Sequence, residues 1–190
     1  LGKFEVAIEF LEKALEIEYD DAVAFELATI LYDQKEYQKA NLYFKQIDTI
    51  SPEFEGYEYG YALSLHAEHQ TEEALRLTQQ GLSKNPFDTR LLLLASQLSY
   101  ELHDERKAED YLLKAKDNAE DLEEIALRLS NLYLEQERFD EVLKFEEQDI
   151  DNVLTKWNIA RAYQALEQTT AALERYRLLL SDLKENPEFL

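Results

Sequence analysis

Cysteine is absent from this 190-residue chain, which removes disulfides, thiolate metal sites, iron–sulfur clusters and cysteine nucleophiles together. The same absence says nothing of redox compartment, although it is compatible with a reducing cytoplasm. Methionine is missing too, which is unusual at this length. Four glycines and three prolines are too few for the frequent turns of a β-sandwich or barrel, so helix is the default reading. The longest apolar run, Leu91 to Ala95, falls far short of the roughly 18 residues of a membrane span. Positive charge is scarce: 20 basic residues face 41 acidic ones, a formal net charge of −21. Such a balance repels phosphate backbones and anionic membrane surfaces, so neither nucleic acid nor membrane is expected as a partner. The acidic surface either keeps a long, thin protein soluble or meets a basic partner. The opening Leu1-Gly2-Lys3-Phe4 has neither an initiator Met nor a basic-then-apolar leader. It reads as a fragment whose native start, and any targeting signal, lies elsewhere; a cytoplasmic location is the expectation.

At 45% hydrophobic and 12% aromatic the chain has the material to fold, and its pattern repeats. A small residue recurs at Ala7, Ala40, Ala74, Ala108, Val142 and Ala172, with spacings of 33, 34, 34, 34 and 30. A second column runs in step through Ala28, Ala62, Ser96, Ser130 and Ala160, at 34, 34, 34 and 30. Two helices crossing at close range need a small side chain on each where the backbones meet. Leu27, Tyr61, Ala95, Leu129 and Ile159 precede the second column by one residue, and Phe4, Tyr37, Thr71, Glu105, Phe139 and Thr169 open the following helix. Pro52 and Pro86 stand one period apart, where one unit ends and the next begins. Short polar joints such as Gln34-Lys35-Glu36 and Glu135-Gln136-Glu137-Arg138 make neighbouring helices antiparallel.

With Gly2-Lys3-Phe4-Glu5-Val6-Ala7-Ile8-Glu9 followed by Ala14-Leu15-Glu16, and with Ser51-Pro52 and Asn85-Pro86 at unit ends, the chain resembles the tetratricopeptide repeat family over essentially its whole length. The resemblance implies an all-α fold, an α-α superhelix of about eleven helices in antiparallel pairs, and a piece of a longer, bacterial-type scaffold. The expected organisation is a single array: a lone second helix over 1–20, helix pairs over 21–53, 54–87, 88–120, 121–151 and 152–185, and the start of a further helix over 186–190. Three departures stand out. No unit has the family's favoured first-helix glycine, Gly56 and Gly60 sit in an aromatic-rich first helix, and the unit from Glu123 is four residues short. Phe139-Asp140-Glu141-Val142-Leu143-Lys144-Phe145 is apolar at helical spacing whereas Glu146-Glu147-Gln148-Asp149-Ile150-Asp151 is not, so the second helix there reads as truncated, with a kink or hinge. Cut ends are expected to leave Phe4, Ile8, Phe10 and Leu11 partly orphaned and open to end-to-end packing against another copy.

The resemblance further implies that first helices line a concave groove that holds a protein or peptide. Three inward columns follow: Phe25, Tyr59, Leu93, Leu127 and Trp157; Thr29, Leu63, Gln97, Asn131 and Arg161; and Tyr32, His66, Tyr100, Leu134 and Gln164. Tyrosine and tryptophan combine contact area with a polar tip, which suits peptide capture, although any one of these rings can equally serve the core. Tyr32, Tyr100 and Trp157 are the aromatics expected to be exposed. The paired Lys and Asn with which some family members clamp a peptide's terminal carboxylate are not present. Arg90, Arg128 and Arg161 recur on consecutive first helices, either as a sparse basic track or as ordinary surface arginines balanced by nearby Glu.

Catalysis has no foothold. Forty-one acidic residues scattered on solvent faces single out no carboxylate pair, and no phosphate loop or nucleophile motif occurs. His66 and His69 are one helical turn apart, a metal-capable spacing, but no rigid third ligand is specified, and His69 and His103 fall at joints between helices. No cofactor and no metal are expected. The leading expectation is a scaffold or adaptor; the alternative is a structural spacer or self-assembly arm that binds through its ends or convex face.

Overall fold

A computed structural model of the chain describes residues 2–47, 54–148 and 150–185. Among them are eleven α-helices, one 3₁₀ turn and no strand, so the fold is all-α. The helices fall into two compact units, one up to Asp104 and one from Glu105. The first unit holds α1 (Lys3–Ile17), α2 (Asp21–Asp33), α3 (Tyr37–Gln46), α4 (Tyr57–Ala67), α5 (Thr71–Lys84) and α6 (Thr89–Glu101). The second holds α7 (Glu105–Lys116), α8 (Glu123–Glu135), α9 (Phe139–Leu143), a 3₁₀ turn over Lys144–Glu147, α10 (Val153–Ala165) and α11 (Thr169–Glu185). The Ser51-Pro52 joint and the helix start expected over 186–190 lie outside the described residues.

Local chemistry sets the helix limits. Side chains of Asp20, Asp88 and Asn152 accept backbone N–H bonds from the first turns of α2, α6 and α10, satisfying donors that a helix start leaves without partners. α4 begins instead behind Gly56, whose φ of 84° is left-handed backbone that glycine adopts without steric cost. The five joints that follow α2, α4, α6, α8 and α10 share one geometry. Lys35, His69, His103, Glu137 and Glu167 all have φ between 57° and 63°, spaced 34, 34, 34 and 30 residues apart. At each, the left-handed residue donates its N–H three residues back and the next residue donates five back, as in Lys35 to Tyr32 and Glu36 to Leu31, both 2.9 Å. This is the Schellman ending, which normally selects glycine. Here five side-chain-bearing residues adopt it, against a cost of roughly 1 kcal/mol each.

Packing follows the small-residue columns. Ala28, Ala62, Ser96, Ser130 and Ala160 are buried, as are Ala40, Ala74, Ala108, Val142 and Ala172, while Ala7 on α1 is half-buried. In the first unit α2 packs against α1 and α3, α3 against α4, and α5 against α4 and α6. Its aromatic centre is Phe44, fully buried, stacked on Tyr61 at 5.3 Å and edge-on to Tyr57 and Phe25; the Tyr57 hydroxyl donates to the Phe44 carbonyl at 3.0 Å. Gly81 marks the closest approach of α5 to its neighbours, since a Cβ there would lie 2.8 Å from Leu91 Cδ1 and 3.0 Å from Glu58 Cβ. In the second unit α8 packs against α7, α9 and α10, and α10 against α9, the 3₁₀ turn and α11. The second helix of the shortened repeat is the five-residue α9, against 14 residues in α5 and 17 in α11.

Candidate functional site

Each unit carries its own stretch of the first-helix face. In the first unit, Phe25 is half-buried and committed to packing: it stacks on Phe54 at 5.3 Å with the rings 7° apart. Thr29 is exposed and its hydroxyl donates to the Phe25 carbonyl at 2.9 Å. Tyr32 is half-buried against Tyr37, with centroids 5.6 Å apart, and burial raises its hydroxyl pKa, aided by the nearby Tyr37 and Tyr59. Tyr59 and Leu63 are half-buried on the core cluster of Ala62, Leu65, Ala74, Leu94 and Leu98. The Arg90 guanidinium lies 5.6 Å over the Tyr59 ring and is held by Asp88 at 3.1 Å. Leu93 and Gln97 are half-buried, and Tyr100 is 44% exposed.

His66 on α4 meets Glu101 on α6, its Nε2 lying 3.0 and 2.8 Å from the two carboxylate oxygens. Gln97 Nε2 donates to the same carboxylate at 3.2 Å. Glu101 thus gathers two of the expected face residues and was not itself singled out by the sequence pattern. The one available signal was its position next to Tyr100. His69 stands at the left-handed joint, and no group of three or more His, Asp and Glu able to hold a metal ion occurs among the described residues.

In the second unit, Leu127 is half-buried, as is Arg128, whose guanidinium donates to Glu124 at 2.6 Å. Asn131 is exposed; its Oδ1 accepts from the Asn158 amide at 2.6 Å, and that amide also donates to Ser130 Oγ at 2.9 Å. Asn158 is nearly fully buried, so a polar bridge joins α8 to α10 beneath the face. Leu134 is half-buried and Gln164 exposed. Trp157 is 48% exposed, edge-on to Tyr176 of α11 at 5.1 Å; the Tyr176 hydroxyl donates to Gln164 at 2.9 Å. Arg161 is exposed and has no ion-pair partner among the described residues. Of the three arginines, two therefore neutralise a carboxylate of their own helix start, and Arg161 presents its charge outward.

The comparisons with known proteins agree with this architecture. Residues 154–190 match the family model "YpiA-like, C-terminal tetratricopeptide repeats" and residues 1–21 match the "Tetratricopeptide repeat" model. The TPR repeat-containing protein YpiA of Bacillus subtilis (strain 168) is 21% identical over 193 residues, an alignment that spans all of this chain and 46% of that protein. Among solved structures, YrrB, described as a TPR protein with an unusual peptide-binding site, superposes with a TM-score of 0.73 at 19% identity, covering 95% of this chain and 94% of its own. A tetratricopeptide repeat protein from Parabacteroides merdae ATCC 43184 gives 0.68 at 20% identity, over 95% of this chain and 73% of its own. Repeated helix pairs with buried small-residue columns, matched at both ends by repeat models and across nearly their full length by solved repeat structures, give this chain the helical-repeat fold of tetratricopeptide repeats.

Proposed function

We propose that the chain is an interaction scaffold that holds a peptide or protein segment against its first-helix face and contributes contact surface rather than chemistry. The observation that carries this reading is the pair of large rings left half open to solvent on first helices, Tyr100 at 44% and Trp157 at 48%. Aromatic side chains of this kind supply most of the energy in protein recognition. The first helices of the first unit also carry Tyr32, Tyr59, Leu63 and Leu93, and those of the second Leu127, none fully buried, with His66 and Gln97 as polar anchors in the first unit and Asn131 and Arg161 in the second. The peptide-binding description of YrrB supports the same class of ligand, and the charge of −21 favours a protein over nucleic acid or an anionic membrane. A cytoplasmic setting goes with this reading, and no described helix is long and apolar enough to cross a membrane. The same scaffold serves many partners, so the face and not the fold decides the ligand.

The test is capture from lysate by the chain beside its Tyr100→Ala, Trp157→Ala double variant. Loss of bound proteins with helicity unchanged is the expected result, each truncation weakening capture by about ten-fold or more. Retention of the same partners would sink the face as the binding surface. A second reading, self-association through the ends, is favoured by Phe4 and Phe10 of α1, 54% and 70% exposed. Sedimentation that stays monomeric across concentration would remove it.

A further inference from the structure

The second unit contains a hollow of about 730 Å3 beside the shortened α9. Its apolar wall is Phe145, Ile150, Ile159, Leu178 and Leu179. It exists because α9 stops after five residues and the chain turns through the 3₁₀ segment, where a full-length second helix would continue for several more residues at 1.5 Å rise each. Phe145, Ile150, Ile159 and Leu179 are buried at the base, and Leu178 is 61% exposed at the mouth. The size is that of sites which hold a few side chains of a ligand.

The charges at the rim choose the ligand. Both cations of the lining are already held: Lys156 by Asp151 at 2.5 Å, and Arg175 by Glu146 at 2.5 Å and Glu174 at 3.1 Å. Glu146 also accepts the Tyr163 hydroxyl at 2.5 Å. Burial would raise its carboxyl, yet the hydrogen bonds from Arg175 and Tyr163 bring it below the ordinary value, so it stays an anion. Glu123, also on the lining, has no cationic partner among the described residues. An anionic ligand meets no free cation on the lining, whereas a basic one meets the carboxylate of Glu123 there.

We propose that this hollow is a second binding site, taking a protein segment that inserts an apolar side chain next to a lysine or arginine. It is separate from the first-helix face, and its failure is read at different residues. Titration of the isotopically labelled chain with the blocked tripeptide Leu-Leu-Arg, and with Leu-Leu-Glu as control, tests it by amide shifts. Saturable shifts at Phe145, Gln148 and Ile159 with the arginine peptide are expected, weaker with the glutamate peptide. Leu178→Asp, at an exposed position, should weaken binding about ten-fold, and Glu123→Gln should weaken it several-fold while leaving the fold intact. The Tyr100→Ala, Trp157→Ala variant should bind the tripeptide unchanged. Absence of saturable shifts, equal response to both peptides, or indifference to both substitutions would overturn the proposal. Shifts at these amides that grow with protein concentration alone would assign the hollow to a second copy and overturn it as well.

Discussion

In the first unit Phe44 is enclosed by the rings of Phe25, Tyr57 and Tyr61, with Phe54 stacked on Phe25. In the second unit, Tyr133 of α8 stacks on Phe145 of the 3₁₀ turn at 6.3 Å, with a polar cluster beside it. There the Arg138 guanidinium donates to both oxygens of Glu109 at 2.6 and 2.9 Å, reaches Glu141 at 3.2 Å, and lies 4.3 Å over the Tyr133 ring. Burial, with Glu109 beside it, pushes the Tyr133 hydroxyl up to about 12. A helix of ordinary length presents enough apolar face for ring packing to secure the pair. With α9 cut to five residues, that face is missing, and a bidentate arginine, which tolerates partial exposure better than an unpaired charge would, ties α7, α8 and α9 together instead.

The largest expected difference between the two regions is in ring truncation. Phe44→Ala should destabilise by about 4 kcal/mol, because a fully enclosed ring leaves a cavity that cannot collapse. Phe145→Ala, beside an existing hollow, should cost about half as much, since solvent and neighbours fill the space. Denaturant midpoints of the two variants measure this, and equal losses would break the comparison.

The polar cluster should show itself next, through pH. Arg138→Gln is expected to cost about 2 kcal/mol at neutral pH, through loss of charge-assisted hydrogen bonds to a mostly buried carboxylate. The hydrogen bond from Arg138 holds Glu109 below its ordinary 4.5. The stability this pair adds is therefore fully present above that value and is lost as pH falls through the depressed folded-state value. The gap between the parent chain and Arg138→Gln should close in acid, whereas the gap for Phe44→Ala should persist; unfolding curves across pH separate the two. The smallest effect concerns the joints. Lys35→Gly in the first unit and Glu137→Gly in the second should each stabilise by about 0.5–1 kcal/mol, because glycine occupies the left-handed conformation without strain. A fall in melting temperature at either would show that the side chain there makes a contact worth more than the strain.

Much of this was legible in the residues themselves. The 34-residue columns of small side chains mark helix crossings that are buried, and α3, α5, α7, α9 and α11 begin at the Tyr37, Thr71, Glu105, Phe139 and Thr169 that the pattern singles out. The four missing residues after Glu123 announce a shortened second helix. The left-handed joints were hidden because five chemically different residues occupy them, where glycine would have signalled the geometry. The face was harder to read: Phe25 shares a column with Trp157, yet Phe54 covers the former while Trp157 remains half open.

The sequence by itself determined the helices, their repeat and the places where backbones touch, since periodicity and side-chain size act over a few residues along the chain. Only the tertiary structure decided that His66 would face Glu101, that Arg138 would close on Glu109, and that a hollow would open beside α9. Each of these joins residues about 30 positions apart, whose meeting depends on how helices pack and not on any local preference.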